Sequence, residues 1–194
     1  VHLLSSWVNR CSRFWTKLGN LESLSLRDEL DAIEIDRPVY VTGIARAGTT
    51  IVLELLSRHA ELASHKYRDF PGQFVPTWWN RGQSEQSYAL SERAHGDRLQ
   101  VTQDSPEAME EPLWMAFFPE VHNPAVSNAL DRETSDPVFE QFYLDHLRKL
   151  LLVRNRPRYL AKGNYNLTRL AYLQKLVPGS RFVVVVRHPR DHVA

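Results

Sequence analysis

One octapeptide constrains this chain more than any other feature: Gly43-Ile44-Ala45-Arg46-Ala47-Gly48-Thr49-Thr50. It follows a β-prone run, Val39-Tyr40-Val41-Thr42, and precedes a segment with Ile51, Val52, Leu55 and Leu56 at helical spacing. Residues 38–58 therefore read as strand, glycine-bounded turn, helix. Such a turn aims backbone N–H groups and the positive end of the helix dipole at one point, which suits an anion. The two glycines stand in register with a nucleotide-kinase loop, but Thr49 occupies the position of its lysine. That lysine bridges the β- and γ-phosphates in nucleoside triphosphatases, so its loss argues against that chemistry. The positive charge sits instead at Arg46, with hydroxyls at Thr49 and Thr50.

The remaining pattern predicts an α/β domain. Residues 18–30 carry leucines at helical spacing and read as one helix. Residues 138–153 and 166–177 read as two more, the second stopped by Pro178-Gly179. Arg158-Tyr159-Leu160-Ala161 is a strand candidate. The run Arg181-Phe182-Val183-Val184-Val185-Val186 reads as a strand buried on both faces of a parallel sheet. Strand–helix–strand units of this kind build three α/β/α layers around a mostly parallel sheet. Residues 64–137 differ: they hold most of the prolines and three of the five tryptophans, with one helix expected around 106–118. They read as an aromatic-rich insertion over a sheet edge, where loops usually carry specificity. Both ends of the chain read as cuts, so one domain spanning 1–194 is expected to be truncated at its C-terminus.

Composition narrows the partners. A net charge of +1 provides no global field for nucleic acid, and no apolar run reaches the length needed to span a bilayer. Cys11 is the single cysteine, which excludes an internal disulfide and fits a reducing, cytoplasmic setting. His188 and His192 flank Asp191 at a spacing that suggests a metal pair, but no third ligand follows, so no metal is expected. His65, His95 and His122 read as surface or loop histidines, and Trp78 and Trp79 as packing residues or a stacking wall for sugar rings.

The turn, read as basic residue, small residue, Gly-Thr-Thr, resembles the 5′-phosphosulfate loop of sulfotransferases that use 3′-phosphoadenosine 5′-phosphosulfate, in particular the bacterial and carbohydrate-type branches. Ala47 departs from their usual serine. Two further segments carry the resemblance. Arg187-His188-Pro189-Arg190-Asp191 after the valine strand is similar to the family's 3′-phosphate motif, whose serine would fall just beyond Ala194. Lys162-Gly163-Asn164-Tyr165-Asn166-Leu167-Thr168-Arg169 is similar to the bacterial Lys-x-Pro-x-Asn segment, with Asn164 in place of proline.

The resemblance covers residues 38–62, as a 5′-phosphosulfate unit, and 158–194, as a βαβ unit with the 3′-phosphate motif, far better than the segments between and before them. It implies a P-loop-like fold and sulfuryl transfer, without a metal, to an acceptor hydroxyl on a small molecule or glycan. Arg46, Ala47, Gly48, Thr49, Thr50 and Arg187 would bind the co-substrate, and Lys162 would face the sulfuryl group. The general base is placed at Asp69, with Glu110 as the other candidate, each weighed against an ordinary solvated carboxylate. Asn166 and Arg169 would orient substrate or the 3′-phosphate loop, Arg169 being equally readable as a surface ion pair. The competing readings are a P-loop kinase and a non-catalytic fragment that only binds nucleotide.

Overall fold

The computed structural model describes residues 10–83, 91–92 and 100–192, with the side chains of 91, 92, 100, 191 and 192 left aside. In chain order the elements are α1 (Ser12–Ser25), α2 (Arg27–Asp31), β1 (Val39–Gly43), α3 (Thr49–Ser57), β2 (Leu62–Ser64), α4 (Pro76–Arg81), β3 (Ser91–Glu92), β4 (Gln100–Val101), α5 (Glu111–Phe117), α6 (Pro137–Arg154), β5 (Arg158–Lys162), α7 (Leu170–Leu176), β6 (Arg181–Val185) and α8 (Pro189–His192). Single 3-10 turns occupy Tyr67–Asp69, Pro119–His122 and Asn164–Thr168. His95 lies outside the described residues.

Four strands form one parallel sheet in the order β2-β5-β1-β6, and β3 pairs with β4 as a separate antiparallel hairpin. The period-two alternation of each strand sorts its side chains onto two faces. Val39, Val41, Leu160, Val183 and Val185 pack on one side with Val52, Leu53 and Leu56 of α3. Tyr40, Tyr159, Ala161 and Phe182 face the other way, into a cluster with Phe139, Tyr143, Leu147, Tyr172 and Leu173 of α6 and α7. The expected α/β/α layering around a parallel sheet is the observed fold. Trp114 of α5 is fully buried at the centre of the larger cluster, with ring centroids 4.6 Å from Phe139 and 5.3 Å from Tyr143.

α6 shows how local sequence sets an element's bounds. The Asp136 side chain caps the helix by accepting from the Val138 and Phe139 N–H groups at 3.1 and 3.0 Å. Pro137 fits the first helical position, and Asn155 ends the helix in the left-handed conformation at φ 49°. α1 docks on α6 through a buried ion pair, Lys149 Nζ to Glu22 Oε2 at 3.2 Å, and through Gly19, where a Cβ would stand 2.7 Å from the Phe142 ring.

Four expectations change. The helix read over 18–30 is two helices, divided at Leu26. The helix read around 106–118 starts only at Glu111, since Pro106 is bridged in extended backbone to Lys66. In the segment read as helix from Asn166, α7 proper starts at Leu170, because Asn164–Thr168 is a 3-10 turn. β6 is not buried on both faces: it lies at the sheet edge, and Val184 is 48% exposed. Its apolar run reports β-propensity rather than a central position. β2, only three residues long, has no comparable signature in the sequence. Among the described residues no helix is long and apolar enough to cross a membrane.

Candidate active site

Three chain segments meet at the carboxyl edge of the sheet. β1 ends at Gly43, where a Cβ would sit 2.5 Å from the Val185 carbonyl oxygen and 3.1 Å from Thr49 Cγ2. Only glycine lets β1 and β6 approach so closely. The turn closes with the Ala47 N–H donating to the Ile44 carbonyl at 3.2 Å. Arg46, with φ 69°, and Gly48, with φ 100°, both adopt the left-handed conformation. At Gly48, the residue before α3, a Cβ would meet nothing within 4 Å. The start of α3 thus faces open space, into which the first-turn N–H groups of any α-helix point. Ala47 and Thr49 are buried and support the turn from within, while Arg46 is exposed.

β5 lies beside β1 with Lys162 paired to Val41, so Lys162 and the turn project from the same edge. The two loops are stitched together. Thr42 Oγ1 donates to the Gly163 carbonyl at 2.7 Å, and the Gly163 N–H donates to the Val41 carbonyl at 3.0 Å. Thr49 Oγ1 donates to Asn164 Oδ1 at 3.4 Å, so the residue replacing a kinase lysine touches the residue replacing the family's proline. On the other side β6 pairs with β1, Gly43 opposite Val185. Arg187 follows β6, is exposed, and donates from Nη1 to the Arg46 carbonyl at 3.4 Å. Arg187 therefore reaches the turn that precedes α3, in which Arg46 lies.

Beneath this edge is a cavity of about 180 Å³ lined by Glu110, Glu111, Lys162, Asn164, Tyr165 and Asn166 among others. Glu110 is buried, and its Oε1 accepts from the Tyr143 and Tyr159 hydroxyls, each at 2.7 Å. Its Oε2 is buried with no partner among the described residues, as is Asn166 Nδ2. Burial pushes the Glu110 carboxyl above the ordinary carboxylate range, outweighing the two tyrosine hydroxyls that favour the anion. A carboxyl with a raised affinity for protons and one unsatisfied oxygen, in a cavity shared with a lysine, is equipped to accept a proton.

Asp69 has a different setting. It is fully buried, and both oxygens accept from Arg154 Nη2 at 2.6 Å. Oδ2 also accepts from the Lys66 N–H at 2.9 Å and contacts His65 Nδ1 at 3.1 Å, while Oδ1 accepts from Asn80 Nδ2 at 3.1 Å. Burial disfavours this carboxylate, but His65 and Arg154 together outweigh burial and hold it well below the usual range.

The sequence profile of the sulfotransferase family matches residues 38–194, which include the turn, Lys162 and Arg187. The chain belongs to the sulfotransferase family. Two solved structures are similar to it in fold: sulfotransferase STF1 of Mycobacterium tuberculosis H37Rv, at 17% identity and TM-score 0.57, and sulfotransferase STF9 of Mycobacterium avium, at 16% and 0.56. They cover 88% and 87% of this chain, which spans only 50% and 47% of theirs. No curated protein matches the chain in sequence.

In this family member the fold brings Arg46, Ala47, Gly48, Thr49, Thr50, Lys162 and Arg187 to one sheet edge, along three adjacent strands. Asp69 follows β2, which β5 separates from β1. Neither Asp69 nor Glu110 is a solvated carboxylate. Arg169 is no surface pair either: it is fully buried, holds Glu111 with two hydrogen bonds of 2.7 and 3.0 Å, and lies 4.6 Å from the Trp114 ring centre. His65, read as a surface or loop residue, is buried and stacked on His146. Trp79 is tied by its indole N–H to the Arg68 carbonyl at 2.8 Å, a packing role, whereas Trp78 is 38% exposed. Tyr143 and Tyr159, which hold Glu110, are not expected from the sequence to take part in the site. A signal for the burial of Glu110 was available: residues 110, 113 and 114 share one helical face, and Leu113 and Trp114 are fully buried.

Proposed function

We propose that this chain carries the catalytic half-site of a sulfotransferase that moves a sulfuryl group from 3′-phosphoadenosine 5′-phosphosulfate to a hydroxyl of a small molecule or glycan. The carrying observation is the shared edge: an anion-binding turn on β1, Lys162 on the neighbouring strand, and a buried carboxyl with a spare oxygen in the cavity that Lys162 lines. The open space before Gly48 fits the 5′-phosphosulfate, held by the first-turn N–H groups, Arg46 and the hydroxyls of Thr49 and Thr50. Arg187, beside Arg46, takes the 3′-phosphate.

The acceptor oxygen attacks sulfur in line, and the bond from sulfur to the bridging oxygen breaks. The electron pair stays on that oxygen as 3′-phosphoadenosine 5′-phosphate leaves. Arg46 and the turn stabilise the charge developing there, and Lys162 follows the sulfuryl oxygens. The acceptor's proton passes to Glu110. Asp69, the other candidate base, is committed to Arg154 and serves the scaffold in this reading. The lone, half-buried Cys11 favours a cytoplasmic setting.

Calorimetry separates this proposal from the kinase and binding-only readings. 3′-Phosphoadenosine 5′-phosphate is expected to bind in the absence of magnesium, and Arg46→Ala to weaken it and to lower turnover by roughly 10²–10³-fold. Binding of ATP–Mg²⁺ without the bisphosphate favours the kinase. Bisphosphate binding without transfer to any hydroxyl favours the binding-only reading.

A further inference from the structure

A cavity of about 530 Å³ lies outside the site above, along the outer edge of β2 from Ser57 to Asp104. Among the described residues four cations line it, Lys66, Arg68, Arg154 and Arg156, against the single carboxylate of Asp104. Arg154 is neutralised by Asp69. Lys66 and Arg68 share Asp104, with Lys66 Nζ at 2.9 Å and Arg68 Nη2 in direct contact. Arg156 spends its guanidinium on the His59 and Leu62 carbonyls, at 2.6 and 3.2 Å. Two positive charges are thus left without a carboxylate among the described residues. Arg68 Nε is in addition buried with no partner there.

Among the described residues, Asp104 is the carboxylate that competes for Lys66 and Arg68, and it sits at the solvent. Asp104 is 54% exposed, and ion pairs at such exposure are readily exchanged for another anion. A phosphate monoester carries up to two negative charges and a sulfate monoester one, and each offers more acceptor oxygens than a carboxylate to the same fork of donors. The volume is that of a pocket for a small organic ligand rather than a bare ion. Its position relates it to the active site: Ser64 pairs with Leu160, so Lys66 emerges two residues later at the level where Lys162 emerges from β5.

We propose that this cavity binds a phosphate or sulfate ester carried on a sugar, with Lys66 and Arg68 as its ligands and Asp104 as the internal carboxylate it displaces. That the occupant is also the acceptor, anchored by its anionic substituent while a hydroxyl reaches Lys162, rests on the function proposed above.

The test is calorimetric titration of the full chain, saturated with 3′-phosphoadenosine 5′-phosphate so that the turn is occupied, with glucose 6-phosphate, glucose 6-sulfate, glucose, inorganic phosphate and inorganic sulfate. The esters are expected to bind at least tenfold more tightly than glucose or either free ion, and the stronger ester identifies the group. Arg68→Gln and Lys66→Gln should each weaken the ester at least tenfold, and Asp104→Asn should strengthen it. Equal binding of glucose overturns the proposal, equal binding of the inorganic ions overturns its sugar part, and unchanged affinity in all three variants overturns the assigned residues. If the bisphosphate itself fails to bind, the function proposed above fails, while the same titrations on the unsaturated chain, with Arg68→Gln and Asp104→Asn moving affinity in opposite directions, still decide this site.

Discussion

Gly43 leaves no room for even a methyl group, since the Val185 carbonyl would lie 2.5 Å from it. Gly43→Ala must push β6 away from β1 or distort the turn, so it is expected to cost about 1–3 kcal/mol in urea denaturation and to weaken bisphosphate binding. Glu110 acts at the same scale with the opposite emphasis. Glu110→Gln keeps the shape and the two tyrosine bonds but removes the proton acceptor, so turnover is expected to fall by roughly 10²–10⁴-fold with the fold intact. The sign of its pH effect follows from its raised proton affinity. A carboxyl raised by folding contributes stability at low pH that is lost as pH rises through its native value. The melting temperature of Glu110→Gln relative to the parent should therefore move in the variant's favour as pH rises, and a difference independent of pH would remove Glu110 from this role. Asp69→Asn leaves Arg154 buried without its carboxylate and should cost about 3–5 kcal/mol. If the folded Asp69→Asn protein instead lost turnover as Glu110→Gln does, Asp69 would be the base.

Among the elements, α1 lies before the family-matched residues yet is tied to α6 by the Lys149–Glu22 pair. Burial raises the Glu22 carboxyl and lowers the Lys149 ammonium, so the pair does not overcome the desolvation of either partner. Breaking it is nevertheless costly. Lys149→Met strands a buried carboxylate and should destabilise by about 3–5 kcal/mol, while adding Glu22→Gln should restore much of the loss in a denaturant series. The elements also differ in how far the sequence disclosed them. β1, the turn, α3 and α6 are legible because strand pattern, glycines, helical spacing and caps agree locally. β2 is not, because three residues carry no period. The exposure of β6 is not, because a valine run reports preference for extended backbone and says nothing of what covers it. The same limit applies to the site. Arg46, Lys162 and Arg187 sit at strand ends, where position in the sequence implies position in space. The surroundings of Glu110 and Asp69 arise from contacts with Tyr143, Tyr159 and Arg154, which are 33, 49 and 85 residues away.

For the molecule as a whole, acid is the vulnerable side. Asp69 is held below its ordinary value of 3.8, so the stability it adds is complete above that value and drains away as pH falls below it. Circular dichroism should show the midpoint of urea denaturation falling from pH 4 downward, and Asp69→Asn should flatten that dependence. At the alkaline end the aromatic layer under the sheet has an optical consequence. Tyr40, Tyr143, Tyr159 and Tyr172, four of the seven tyrosines, lie buried beside one another or beside Glu110 and Glu140. Burial and those carboxylates raise all four hydroxyls above the usual phenol range. These phenols stay colourless near 295 nm at a pH where solvent-facing tyrosines already absorb as phenolates. Their absorbance should arrive as one late step, at the pH where the layer opens, so an alkaline spectrophotometric titration becomes a direct gauge of when this core comes apart.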